Sequence, residues 1–588
     1  MGMTRQDSKL RYRKLTLAAG GEAEVWIDAS TGRAAYHTRQ QTDAGGGEGT
    51  AYWEKCSHPG CAGERVLGEA CLRHASDSTR VTYLQAVVQA GASVGMKGVE
   101  IDEPLWTSVL AALTDDDAVI ATPISCLGAS LSFRPKLCEL VFTGHVEFSG
   151  AVLEEGIEAT DCTFGAGLRL GFADLGRSPS VFQRCSVTSE TYADCAFAEQ
   201  HLAFMSCEFH GDVSAKGFVG DIRFDDSQLH RSLALDFAAL KHLSLSESVV
   251  HRQLTMDRTA AGWINARGAH FLGATVIGEL TTDSGFSLEG ARFDSRVQLA
   301  LTGNLDLKGA TFRAGGRFSV DEATINLERV ILGDPLVVVG KGSAEVLSIQ
   351  AADAGLLSFA SVKMSRCVFY GAHNLQAISL EPSVELASAP RPLRARRRCI
   401  ADECAWRARH SLLRRKDWVI PGTWLEPVRP EVEPQPNIGF PNLGADQVGT
   451  TYRALRASFE NRADQGGADD FYFGEMEMRR RSEHSSRAER GLIWAYWLVS
   501  GYGLRAWRSL IFLLTLWLSG TILFEHVGFD KPAGIKGGAL ASAQSIVPGV
   551  SVSGALTQSG RAIDLVLTVL GPVFIALALL AVRNRIKR

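Results

Sequence analysis

The residues best suited to chemistry stand near the start of the chain, in CSHPGCAGERVLGEACLRH (56–74). Cys56, Cys61, Cys71 and His74 follow a C-x4-C-x9-C-x2-H spacing. Three thiolates and one imidazole make a complete structural zinc set, and the Pro59-Gly60 turn brings the first two cysteines together. His58 stands close enough in sequence to substitute for one of them. Four protein ligands leave no position for water, so zinc is expected here as a folding element, not a catalyst. Elsewhere no catalytic constellation is identified, and an enzyme is not expected. VVVGKGS (337–343) lacks the upstream glycine of a phosphate loop, and the acidic run 115–117 reads as a solvated loop.

The centre is expected to stabilise a small N-terminal module that caps a larger element, and a repeated phrase announces that element. LDLKGATF (305–312), FSLEGARF (286–293), INARGAHF (264–271) and VEFSGAVL (146–153) share one frame. Each octet is apolar at its first and third positions, small at the sixth and bulky-apolar at the eighth. Weaker copies run from ISCLGASL (124–131) to VKMSRCVF (362–369). A bulky residue every five, with a small one two places earlier, suits a coil of four short straight faces. Side chains fill the axis, and successive coils of about 20 residues stack on one another. Ala151, Ala173, Ala238, Ala269, Ala291 and Ala310 take the small slot. So do Cys138, Cys162, Cys185, Cys195, Cys207 and Cys367, which accounts for half of the 12 cysteines as small packing residues.

These phrases resemble the pentapeptide-repeat family over roughly residues 122–375. The resemblance implies a mainly β chain built on a right-handed quadrilateral β-helix, which offers a binding surface and no pocket. The family's favoured Asp or Asn before the central apolar residue is mostly missing here. TYLQAVVQAG and LWTSVLAAL, between the cysteine cluster and the solenoid, read as short amphipathic helices.

The C-terminus has a different composition. WRSLIFLLTLWLSGTILF (507–524) and IDLVLTVLGPVFIALALLAV (563–582) are each long and apolar enough to span a bilayer. Arg505 and Arg508 precede the first, while Arg583, Arg585, Lys587 and Arg588 follow the second. By the positive-inside rule both ends are cytoplasmic. Between the spans, IKGGALASAQSIVPGV reads as a short re-entrant helix and a turn. Before them, GLIWAYWLVSGYG (491–503) suits a helix lying in the interface. TYRALRASFENRADQGGADDFYFGEMEMRRR reads as two antiparallel helices hinged at Gly466-Gly467, with Glu475, Glu477 and Arg479–Arg481 as solvated i,i+4 pairs. Cys399 and Cys404, five apart on one expected helix, do not share a face. These C-terminal segments, with the N-terminal cysteine knuckle, resemble bacterial membrane proteins carrying pentapeptide repeats, most familiar from actinobacteria.

Five regions are expected: a flexible segment at 1–50, a zinc-knuckle and helical cap at 51–121, and the β-helix at 122–380. A helical segment at 381–490 contains a proline-rich linker at 421–444, and the interfacial helix and membrane hairpin fill 491–588. A net charge of −4 in 588 residues argues against a nucleic-acid partner. The leading functional expectation is a non-enzymatic scaffold or sensor in a bacterial plasma membrane. Its cytoplasmic solenoid binds a protein partner, and the chain is a candidate homo-oligomer. A channel-like oligomer gated by the solenoid is the alternative. A DNA mimic that binds topoisomerases stands third, because the solenoid is only mildly acidic.

Overall fold

A computed structural model describes residues 10–16, 22–28, 34–39, 53–389, 397–410 and 443–586, with short breaks at 67, 531–533 and near 548–553. The proline-rich linker lies outside the described residues. The chain divides into two compact units, the first made chiefly of residues 1–364 and the second chiefly of 386–425 and 436–588.

The first unit is a parallel β-solenoid of about 13 turns. Its register follows directly from the repeated phrase. Glu208 pairs with Gln228, Gln228 with Val249 and Val249 with His270, steps of 20, 21 and 21 residues. The residue after each of these points inward, so Phe209, Leu229, Val250 and Phe271 stack along the axis and are buried. In-register parallel strands lie about 4.8 Å apart, and this sets the aromatic spacing. Phe271, Phe293 and Phe312 stack with ring centroids 4.8 Å apart at both steps. Each such burial contributes about 1.5–3 kcal/mol, repeated coil after coil.

The fifth position of the octet, which carries no hydropathy signal, is where the backbone turns. Gly268, Gly290 and Gly309 adopt φ near +67°, +70° and +66° there. Phe172, Asp226, Phe237 and Glu247 occupy the same slot, also with positive φ. Parallel pairing begins as early as Val94–Gly95, which pairs with Ile124–Ser125. Two helices flank this first coil, α1 (Asp77–Ala90) and α2 (Glu103–Leu113). Ser76 caps α1 by accepting from the Thr79 amide, and Gly91 ends it in the left-handed region. Asp102 caps α2, which buries Leu105, Trp106, Val109 and Leu113 on one face. Within residues 1–50, expected to be flexible, Leu10–Thr16, Glu22–Asp28 and Ala34–Arg39 form an antiparallel sheet.

Among the described residues the second unit is mainly helical: α3 (Ala401–His410), α4 (Ala445–Asn461), α5 (Gln465–Arg481), α6 (Arg487–Ser500), α7 (Ala506–Leu523), α8 (Gly534–Ile546) and α9 (Gln558–Ile586). Helices α4 and α5 form the expected antiparallel pair, but the hinge is elsewhere. The turn falls at Arg462–Asp464, with Ala463 at φ +59°. Gly466 and Gly467 belong to the first turn of α5, where the Asp464 carboxylate accepts from the Gly467 amide at 2.9 Å. A capping carboxylate starts the helix before the glycines can break it.

The last three helices pack through small residues. A side chain at Gly538 would press on the Thr521 carbonyl, and one at Gly571 on the Ile546 carbonyl. Ser542 donates to the Trp517 carbonyl at 3.0 Å, and Trp517 donates from its indole to Ala539 at 3.2 Å. Two helical segments, Trp507–Gly528 and Gln558–Leu580, are long and apolar enough to cross a membrane. Their outward faces, including Leu510, Leu514 and Leu518 on α7 and Leu565, Val569 and Val573 on α9, are exposed.

Candidate metal centre

Residues 53–75 fold around the four sequence-identified donors. Lys55 and Glu64 form an antiparallel bridge, and the Cys56 amide donates to the Gly63 carbonyl at 2.8 Å. Gly60, at φ +78°, makes the tight reversal between Cys56 and Cys61 that a side chain would disfavour. Gly63 then passes so close that a β-carbon would sit 3.1 Å from that of Cys71. Its amide donates to Cys61 Sγ at 3.4 Å. On the other side, the amides of His74 and Ala75 both reach the Cys71 carbonyl. This short turn places Cys71 and His74 side by side before Ser76 opens α1.

The donor atoms of Cys56, Cys61, Cys71 and His74 all lie within 4.8 Å of one another. Cys61 Sγ is 3.7 Å from Cys71 Sγ, and His74 Nδ1 is 3.5 Å from Cys56 Sγ and 3.4 Å from Cys71 Sγ. A tetrahedral ion with metal–sulfur bonds near 2.3 Å and metal–nitrogen bonds near 2.0–2.1 Å requires edges of about 3.8 Å and about 3.5 Å. The observed edges match, so the Cys3His cluster is shaped to hold a metal ion. His58 is not a member; its ring stacks on His74 at 4.0 Å. Burial, together with the neighbouring His58 and Arg73, holds the His74 imidazole below its ordinary value, which favours the neutral, ligating form. Without metal, burial pushes the Cys71 thiol up to about 11. Burial also opposes ionisation of Cys56, but hydrogen bonds from the backbone at His58 and Cys71 outweigh it and leave that thiol lowered.

No family model, curated protein or solved structure matches this chain.

GASVG (91–95) carries the G-x-S-x-G pattern of a serine nucleophile. Its surroundings run the wrong way: Gly91 ends α1 and Val94–Gly95 is a solenoid strand, whereas a nucleophile elbow joins strand to helix. The VVVGKGS segment lies largely in the strand Leu336–Lys341. In the acidic run, Asp115 accepts from the amides of Asp117 and Val119 and so closes a turn.

Five of the six slot cysteines are buried, but Cys138 is exposed. Strand alternation explains the exception, because Leu137 takes the inward position of Lys136–Cys138. Cys399 and Cys404 do meet, with sulfurs 3.8 Å apart. Helix α3 begins only at Ala401, so Cys399 approaches from an extended strand and no helical spacing separates the two.

The expectation of solvated pairs at Glu475 and Glu477 is also corrected, since both are buried. Glu475 takes Arg453 and Arg456, each at 2.8 Å. Glu477 takes Arg480 at 3.0 Å, Arg407 at 3.2 Å and the Tyr502 hydroxyl at 3.1 Å. Arg407 also bonds Glu403, which pairs with Arg397 and accepts from the Tyr452 hydroxyl. This buried network ties α3, α4 and α5 to the turn after α6. Sequence spacing hid it, because its partners lie as much as 70 residues apart. Every carboxylate in it is neutralised by arginine, and its role is to hold the helices in place.

Proposed function

We propose that this protein is a non-enzymatic, membrane-anchored scaffold or sensor whose solenoid flank binds a protein partner. The observation that carries the reading is one chain joining a solenoid of about 13 turns to two exposed apolar helices. A solenoid presents a long rigid face suited to protein contact, and exposed apolar helices of spanning length call for lipid. The repeated octet with inward Leu and Phe supports membership of the pentapeptide-repeat group. The basic flanks support cytoplasmic termini at a plasma membrane. Thiolate-rich tetrahedral geometry favours zinc as the resident ion of the Cys3His centre.

The reading is tested by alkaline carbonate extraction of cell membranes. The full chain is expected in the pellet and a chain ending at residue 505 in the supernatant. Release of the full chain would end the anchored reading. Photo-crosslinkers at outward solenoid positions such as Val249 and Thr311 are expected to trap a discrete heterologous partner. Adducts only between copies of the chain would make the flank a self-assembly surface instead.

A second reading, a channel-like oligomer, draws on one specific feature. Helix α8 packs against both spans through Gly538, Ala541, Ser542 and Ser545, and Ser545 donates to Asp564 at 2.6 Å. Such span–helix–span units line pores when they oligomerise. Discrete conductance in planar bilayers, lost on deleting residues 525–562, would replace the anchor by a pore.

A further inference from the structure

We propose that Glu208, His210 and His230 form a second metal site on the solenoid flank, open to solvent, for a divalent first-row transition ion such as zinc. The site arises from coil register. Glu208 and His210 flank inward-facing Phe209, so both side chains leave the same face of one coil. Phe209 pairs with Leu229 in the next coil, which sets His230 directly beside His210. The two imidazoles lie 4.8 Å apart and within 7° of parallel, and His251 continues the column at 4.7 Å.

Glu208 closes the set. Its Oε1 is 2.8 Å from His230 Nε2 and 3.6 Å from His210 Nε2. For metal–nitrogen and metal–oxygen bonds near 2.0–2.2 Å, a tetrahedral edge is about 3.3–3.6 Å, which the longer observed distance meets and the shorter falls below. All three donor atoms lie within 4.8 Å of one another, so small side-chain rotations suffice to share one ion. Further along the face, His270 meets Asp294 at 3.1 Å, but Arg313 already occupies that carboxylate at 3.2 Å. Among the described residues, the set at Glu208 is the one with two imidazoles on a single carboxylate.

Two imidazoles and a carboxylate are a borderline-hard donor set, suited to zinc, cobalt(II), nickel(II) or copper(II) and distinct from the thiolate-rich Cys3His centre. Three protein ligands, each a third to a half exposed, leave a fourth position for water or a donor from another molecule. The ion would mark this stretch of the flank as a docking point.

The test is equilibrium dialysis of the full-length chain in detergent against micromolar zinc, with bound metal counted per chain. Wild type is expected to hold about one zinc more than the His210→Ala/His230→Ala variant. Loaded with copper(II), wild type is expected to show imidazole nitrogen couplings in its paramagnetic resonance spectrum, which the variant lacks. Equal zinc in the two proteins overturns the proposal. Should the double variant lose the circular dichroism of the solenoid, Glu208→Gln, which keeps side-chain size and hydrogen bonding, makes the same comparison with the same two outcomes.

Discussion

At the scale of single residues, the second unit turns on two adjacent acids with opposite electrostatics. Asp402 is fully buried, and burial pushes its carboxyl up to about 6, although it accepts from the amides of Phe369 and Tyr370. Burial also opposes ionisation of Glu403, but Arg397 and Arg407 overcome it and hold that carboxyl down to about 2. The signs differ accordingly. A raised acid contributes stability that is complete below its ordinary value and lost as pH rises through the folded one. A lowered acid contributes stability present above its ordinary value and lost as pH falls through the folded one. Asp402 therefore weakens the unit between about pH 4 and 6, whereas Glu403 holds its full contribution above about pH 4.5 and loses it only as pH falls below that. Asp402→Asn is expected to gain stability over wild type as pH rises from 4 to 7, by on the order of 2–3 kcal/mol. Thermal unfolding at a series of pH values reads this directly, and parallel curves for the two proteins would refute it. Neither acid stands out in the sequence, because what distinguishes them is their neighbours.

At the scale of elements, the solenoid is set by two superimposed patterns. One is hydropathic: inward Leu, Ala and Phe at fixed places, visible in LDLKGATF as Leu305, Leu307, Ala310 and Phe312, all buried. The other is conformational: the fifth residue of most octets turns through the left-handed region. Gly290 tests it cleanly, since a β-carbon there would touch nothing within 4 Å. Gly290→Ala is expected to cost about 1 kcal/mol from backbone strain alone. Glu247→Gly, at φ +55° in the same slot two coils earlier, is expected to recover a similar amount. Chemical denaturation of both variants, with unchanged circular dichroism, measures the pair. Equal stability of wild type and Gly290→Ala would mean the turn carries no conformational preference. The same local reasoning found α1, α2 and the α4–α5 pair, yet it misplaced the hinge at Gly466-Gly467, where a capping aspartate outweighed glycine's freedom.

At the scale of the whole molecule, two compact units with separate cores predict two unfolding events. The Cys3His centre belongs to the first. Chelating the proposed zinc, or substituting Cys71→Ser, is expected to lower the first unit's transition and leave the helical unit's unchanged. Calorimetry of the full chain in detergent separates the two. A chelator that moves both transitions equally would show that the units unfold as one.

What the sequence determined by itself was chiefly what is periodic in the chain. The octet fixed the solenoid, four donors within 19 residues marked the metal centre, and two long apolar runs marked the candidate spans. Short-range spacing maps onto strand, turn and helix geometry without knowledge of the rest. The tertiary structure alone decided which distant side chains meet. Stacking coils set His230 beside His210, and helix packing sank Glu475 and Glu477 among arginines. Those contacts depend on register and burial, which arise only when separate stretches of chain exclude water together.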